Sequence, residues 1–210
     1  MARMHLLVLT VLLFLLAACG GPAPTAGQPE RVPEKKVALA AKPSPAQDGF
    51  DFYVMSLSWS PGFCATAAGR HDDTQCGPGR RFAFVLHGLW PQFERKGWPE
   101  NCSTEPLRGV DIAATMEAMP SEKLIRHEWS KHGTCSGLPP TEYFRQSLQA
   151  FRSIQIPARY RQPLQQITVD PGRMQQEFGE ANPAFGHDGF VVLCTNNGRF
   201  LQEVRACLTK

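Results

Sequence analysis

Seven cysteines punctuate this chain of 210 residues, and no two of them stand in a CxxC pair. Zinc ribbons and thioredoxin-type redox motifs need closely spaced cysteines, so neither has support here. Cys19 stands apart, at the end of an apolar N-terminal run. Setting it aside leaves Cys64, Cys76, Cys102, Cys135, Cys194 and Cys207, an even number suited to three disulfides. A fold for this chain has to bring those six thiols together in pairs, in an oxidising compartment outside the reducing cytosol.

The N-terminus points to the same compartment. Arg3 precedes an apolar run from Leu6 to Leu16, followed by the small residues Ala17 and Ala18, which is the layout of a secretory signal. The run is too short for a membrane-spanning helix, which needs about 20 apolar residues. Leu16-Ala17-Ala18-Cys19 resembles the lipobox of bacterial lipoproteins, which implies that Cys19 is acylated and becomes the mature N-terminus. Residues 1–18 are then a signal peptide and residues 19–48, rich in Pro, Ala and Gly, a flexible tether. Residues 49–210 are long enough for one core and form a single domain. The expectation is an exported bacterial lipoprotein, periplasmic or on the cell surface, monomeric and held to a membrane by N-terminal lipid.

The globular part reads as α+β, a largely antiparallel central sheet flanked by helices. Tyr53, Met55, Leu57 and Trp59 alternate onto one face of a strand that ends at Ser60-Pro61-Gly62. Residues 81–87 are apolar on both faces, which predicts a central strand with His87 at its exit. Three helices follow. The first starts near Asp111 and stops before Pro120; the second has Ser121 as N-cap and Gly133 just past its end; the third runs from about Thr141 to Phe151. Asp170-Pro171 opens a fourth, with Met174 and Phe178 as its apolar pair. Residues 189–194 and 200–207 read as strands around an Asn197-Gly198 turn.

Two segments carry the chemistry: Phe84-Val85-Leu86-His87-Gly88-Leu89-Trp90-Pro91 and Arg126-His127-Glu128-Trp129-Ser130-Lys131-His132-Gly133-Thr134-Cys135. At about 100° per residue, Glu128 and His132 stack one turn apart on a helix, as do His127 and Lys131, and the two rows adjoin. Ile125 and Trp129 border the Glu128 row and can anchor the helix to the core. Cleaving RNA by internal 2′-hydroxyl attack needs a base for that hydroxyl, an acid for the departing 5′-oxygen, and cations on the phosphorane. Two imidazoles and a lysine supply those parts near neutral pH. The net balance of 22 Lys+Arg against 19 Asp+Glu does not by itself point to a polyanion; attraction has to come from such a local cluster, because screening limits reach to about 8 Å.

A metal site fits poorly. The zincin pattern HExxH places its second His four residues after the first, whereas His132 follows His127 by five, and Lys131 opposes a dication beside these rings. No metal or other cofactor is expected.

His87-Gly88-Leu89-Trp90-Pro91 and the block from His127 to Cys135 resemble the two active-site segments of the ribonuclease T2 family, and the likeness extends over about residues 50–208. The resemblance implies endonucleolytic cleavage of single-stranded RNA through a 2′,3′-cyclic phosphate, without metal. It makes His87 the acid and His132 the base. Glu128 orients His132 and helps stabilise the phosphorane, His127 and Lys131 hold the phosphate, and Trp90 packs beside or under a base. Gln92 departs from the Asp that several members carry, which leaves base preference open. The resemblance also pairs Cys64 with Cys76, Cys102 with Cys135, and Cys194 with Cys207. In a simple two-residue hairpin at Asn197-Gly198, Cys194 faces Leu201, so the last pairing requires a bulge or another register. The alternative function is a catalytically silent RNA- or protein-binding surface lipoprotein of the same fold.

Overall fold

The computed structural model describes residues 49–95, 97–162, 165–186, 188–195, 198 and 200–210; the signal segment, the tether, Cys19 and Asn197 fall outside them. Strand β1 (Phe52–Trp59) buries Tyr53, Met55, Leu57 and Trp59, as its alternation demands. It runs straight into a short helix α1 (Ser60–Cys64), with Pro61 in the first turn, followed by α2 (Asp73–Cys76). Then come β2 (Phe84–Gln92), α3 (Gly109–Thr115), α4 (Glu122–Lys131), α5 (Pro140–Ser153), α6 (Pro171–Ala181), β3 (Phe190–Cys194) and β4 (Leu201–Leu208). The four strands form one antiparallel sheet in the order β2-β1-β4-β3.

The helix ends follow their capping chemistry. Ser121 Oγ accepts from the Leu124 amide at the start of α4, and Asp170 Oδ1 accepts from the Arg173 amide at the start of α6, with Pro171 next to it. Each such cap is typically worth about 0.5–2 kcal/mol. The last turn of α4 closes on His132, and Gly133 follows. Helix α3 begins two residues before Asp111, whose carboxylate accepts from the Arg108 backbone amide at 3.3 Å across the first turn.

One face of the sheet packs beneath α5 and α6. Met55, Leu57, Leu86, Leu89, Phe190, Val204 and Ala206 are fully buried there, together with Tyr143, Met174 and Phe178. Burying each large apolar side chain contributes about 1.5–3 kcal/mol. The Tyr143 hydroxyl donates to the Leu89 carbonyl at 2.8 Å, fixing α5 to β2, and Phe178 joins Phe84 to Phe190 through ring contacts of 5.6 and 5.5 Å. The other face carries different chemistry. There Val54, Ser56 and Ser58 of β1 oppose Cys207, Arg205 and Glu203 of β4, while Trp90 and Gly88 of β2 oppose Val54 and Ser56.

His87 does not stand at a strand exit. Ser56 pairs with Gly88 and Leu57 with Leu86, so His87 is the unpaired residue of a β-bulge inside β2, which continues to Gln92. Bulges bend a strand and re-aim a side chain. This one turns the imidazole toward the polar face.

Two of the three expected disulfides form: Cys64–Cys76, which ties α1 to α2, and Cys102–Cys135. The latter typically contributes about 2–4 kcal/mol and pins the segment after His132, where the Asn101 amide also donates to the Lys131 carbonyl at 2.9 Å. The expected Cys194–Cys207 bridge is a correction. Cys194 faces Leu201, six residues before Cys207 on the same strand, a separation of about 20 Å at 3.3 Å per residue. A disulfide needs Cα atoms about 4.4–6.8 Å apart. The irregular step between Leu193 and Cys194 shifts the register by one residue, far too little to close that distance. Cys207 instead carries a thiol whose pKa is raised by burial.

Candidate active site

Helix α4 lies along the polar face and closes a cleft of about 590 Å³ against the sheet. Ile125 and Trp129 anchor it in the core, as their spacing implies, and the Trp129 indole donates to the Glu105 carbonyl at 2.6 Å. Glu128 points inward and is 1% exposed, His127 is exposed, and Lys131 lies between these extremes. His87, Trp90, His127, Glu128, Lys131 and His132 all line the one cleft. Residues far apart in the chain thus meet as their chemistry suggested.

Trp90 contacts both imidazoles. Its ring centroid is 5.2 Å from that of His87 and 5.4 Å from that of His132. Its Nε1 donates to Glu128 Oε2 at 2.6 Å, and the Arg205 guanidinium lies 4.9 Å from its ring. Gly88 makes this approach possible. A Cβ at that position would overlap the Glu128 carboxylate and the Trp90 indole nitrogen.

Glu128 does not orient His132, and here the expectation is corrected. His132 is the C-cap residue with φ −117°, so its ring leaves the helical row and turns to Trp90. The carboxylate bonds Trp90 instead and stands 3.6 Å from His87 Nε2. His132 Nδ1 is buried with no hydrogen-bond partner among the described residues.

The ring that is oriented is His87. Its Nδ1 lies 2.7 Å from Glu203 Oε1, and the other oxygen of Glu203 accepts from Arg205 Nε at 2.9 Å and from Arg205 Nη2 at 2.7 Å. Sequence reasoning singles out neither Glu203 nor Arg205. A usable signal was present, since they alternate with Val204 and Ala206 and so share one strand face. Trp98, 51% exposed at the rim of the cleft, was also passed over, and an aromatic in a polar loop gives no periodic signal.

The two imidazoles are driven in opposite directions. Burial alone would depress His87, but the Glu203 hydrogen bond and the charges of Glu128 and Glu203 outweigh it, and its pKa is raised. Burial, helped by Lys131, His127 and His87, pushes His132 down to about 4. Burial and Lys131 also lower His127. Glu128 is pushed up to about 7 by burial despite His87 and Trp90. Glu203 goes the other way: burial would raise it, yet His87 and Arg205 hold it at about 2. His87 therefore holds its proton more firmly than His132 does.

A family model described as "Ribonuclease T2 family" matches residues 50–210. A ribonuclease of Aeromonas hydrophila is 38% identical over 165 residues, covering 77% of this chain and 73% of that protein. A probable ribonuclease of Haemophilus influenzae is 34% identical over 120 residues, covering 51% of this chain and 44% of that protein. Among solved structures, RNase NT in complex with 5′-AMP superposes with a TM-score of 0.59 at 24% identity, covering 78% of this chain and 87% of that one. That degree of identity speaks to the fold alone.

Proposed function

Since the chain belongs to the ribonuclease T2 family and is a ribonuclease, we propose that it cuts single-stranded RNA endonucleolytically by acid/base catalysis between His87 and His132, without a metal. His132, neutral because its pKa is low, takes the 2′-hydroxyl proton. The freed oxygen attacks the adjacent phosphorus, the P–O5′ bond breaks, and His87 protonates the departing 5′-oxygen. Water then opens the 2′,3′-cyclic phosphate to a 3′-phosphate, with the two histidines exchanging roles. Glu128, His127 and Lys131 face the phosphorane, where preorganised donors and cations act on developing charge. Trp90 forms a wall that both rings meet, and the exposed face of Trp98 gives a base a surface on which to stack. Gln92, which also lines the cleft, bears on base preference.

The observation that carries this reading is the pair of imidazoles that both meet Trp90 in one cleft, with their pKa values moved in opposite directions. It tells against a silent binding protein, for which no such division is needed. The test is digestion of RNA and of DNA in excess EDTA. RNA is expected to be cut, with cyclic-phosphate ends preceding 3′-phosphates, and DNA to survive because it lacks the nucleophile. Loss of activity on chelation, or cleavage of DNA at a similar rate, sinks the mechanism.

We also infer that Cys19 anchors the enzyme by lipid outside the cytosol, a reading supported by Leu16-Ala17-Ala18-Cys19 and by the two disulfides. Wild-type protein is expected in the membrane fraction and Cys19→Ser in the soluble or unprocessed fraction with catalysis intact, since two or more acyl chains hold where one is marginal. Mature wild-type protein free in the periplasm with an unmodified N-terminus refutes the anchor.

A further inference from the structure

Glu203 lies on β4, 116 residues from His87, and reaches it from the side of the ring opposite α4. Its side chain is 4% exposed and both oxygens are used, one on His87 Nδ1 and the other on Arg205. Arg205 in turn lies against Trp90, and Trp90 bonds Glu128. The carboxylate is thus clamped by a strand neighbour two residues away and cannot turn from the imidazole without breaking that pair.

We propose that Glu203 is a positioning residue for the reaction: its hydrogen bond to Nδ1 fixes the tautomer of His87, so that the proton given to the leaving oxygen always comes from Nε2. This rests on the reading of His87 as the acid. With Nδ1–H held by a carboxylate, the ring on losing a proton loses it from Nε2, the nitrogen turned toward α4 and 3.6 Å from Glu128 Oε1. Among the described residues His132 has no such partner on Nδ1, which suits a ring that must accept a proton. The charged groups facing His87 are Glu203 and Arg205 from β4 and Glu128, His127 and His132 from α4. Of these only Glu203 bonds the ring, so its loss acts on His87 before the others.

The experiment has two arms. In the first, wild-type protein with ¹⁵N-labelled histidine is titrated by NMR. Neutral His87 is expected to keep its proton on Nδ1, and an Nε2–H tautomer overturns the proposal whatever any variant does. In the second, kcat/KM on RNA is followed against pH for Glu203→Gln and Glu203→Asp. The Gln variant keeps an acceptor but loses the charge that helps raise the His87 pKa, so the basic limb is expected to move down by about 1–2 pH units. The acid limb stays in place. Asp restores the basic limb in part, and cleavage of a uridine 3′-aryl phosphate, which needs no acid, is unchanged in both. A merely structural Glu203 lowers the amplitude and thermal stability without moving the limb, and that result overturns the proposal. If the wild-type basic limb fails to track the NMR titration of His87, the assignment of His87 as acid has failed instead, and the tautomer arm still decides whether Glu203 orients the ring.

Discussion

Single-turnover cleavage of RNA is expected to fall by about 10²–10⁴-fold in both His87→Phe and His132→Phe, and the two variants are expected to part on a uridine 3′-aryl phosphate. An aryl oxide leaves without a proton, so removing the acid costs little there and His87→Phe regains most of the wild-type rate. The 2′-hydroxyl still has to lose its proton. His132→Phe therefore remains slow on both substrates. RNA binding is expected to persist in both, because Lys131, His127 and Arg205 remain around the cleft. The divergence follows from environment rather than residue type: carboxylates flank His87, whereas His132 is buried beside cations. Equal loss in the two variants on the aryl substrate shows that the two rings share the roles, and rescue of His132→Phe alone shows that acid and base are reversed.

Gly88→Ala is expected to lower kcat on RNA by about 10²-fold, the typical cost of misplacing reacting groups by about 1 Å, while the chain still folds. The added methyl has nowhere to go without displacing the Glu128 carboxylate or the Trp90 indole nitrogen. Either displacement moves the wall that both imidazoles meet. Overpacking of this kind costs about 1–3 kcal/mol, which a lowered melting temperature records. Gly109→Ala serves as the control, since a Cβ there meets nothing within 4 Å, and it is expected to alter neither quantity. A Gly88→Ala enzyme with wild-type kcat removes the claim that Glu128 and Trp90 must lie this close.

What could be read from the sequence was what depends on neighbours in the chain. The caps Ser121 and Asp170 need only the next few residues to act, and both begin helices where expected. Helical spacing likewise put Ile125 and Trp129 inward. The three residues named for catalysis, His87, Glu128 and His132, do share a cleft. Their contacts were less legible. Glu203 and Arg205 meet His87 and Trp90 through the pairing of β4 with β1, and strand order is not written in any local pattern. The Glu128–His132 contact failed because helical spacing was carried one residue too far, into a C-cap whose backbone has already turned. The Cys194–Cys207 pairing rests on family likeness alone, whereas the hairpin register that the chain itself implies sets Cys194 opposite Leu201, as it is in the sheet.

The unpaired residue in β2 also acts as a parity switch. Leu86 and Leu89 are separated by an odd number of positions, yet both face the core, and His87 and Trp90, likewise odd, both face the cleft. In an uninterrupted strand neither pair could share a side. One supernumerary residue resets the count, so the segment before it and the segment after it each keep their apolar positions inward. A ladder that took His87 into regular register would invert half of the strand, with Trp90 and Leu89 exchanging surroundings. Substitutions along β2 alter one side chain at a time, but a gain or loss of a residue outside the bulge alters which side of the sheet the side chains beyond it inhabit. Natural variation in this strand should therefore arise by replacement and not by gain or loss of residues.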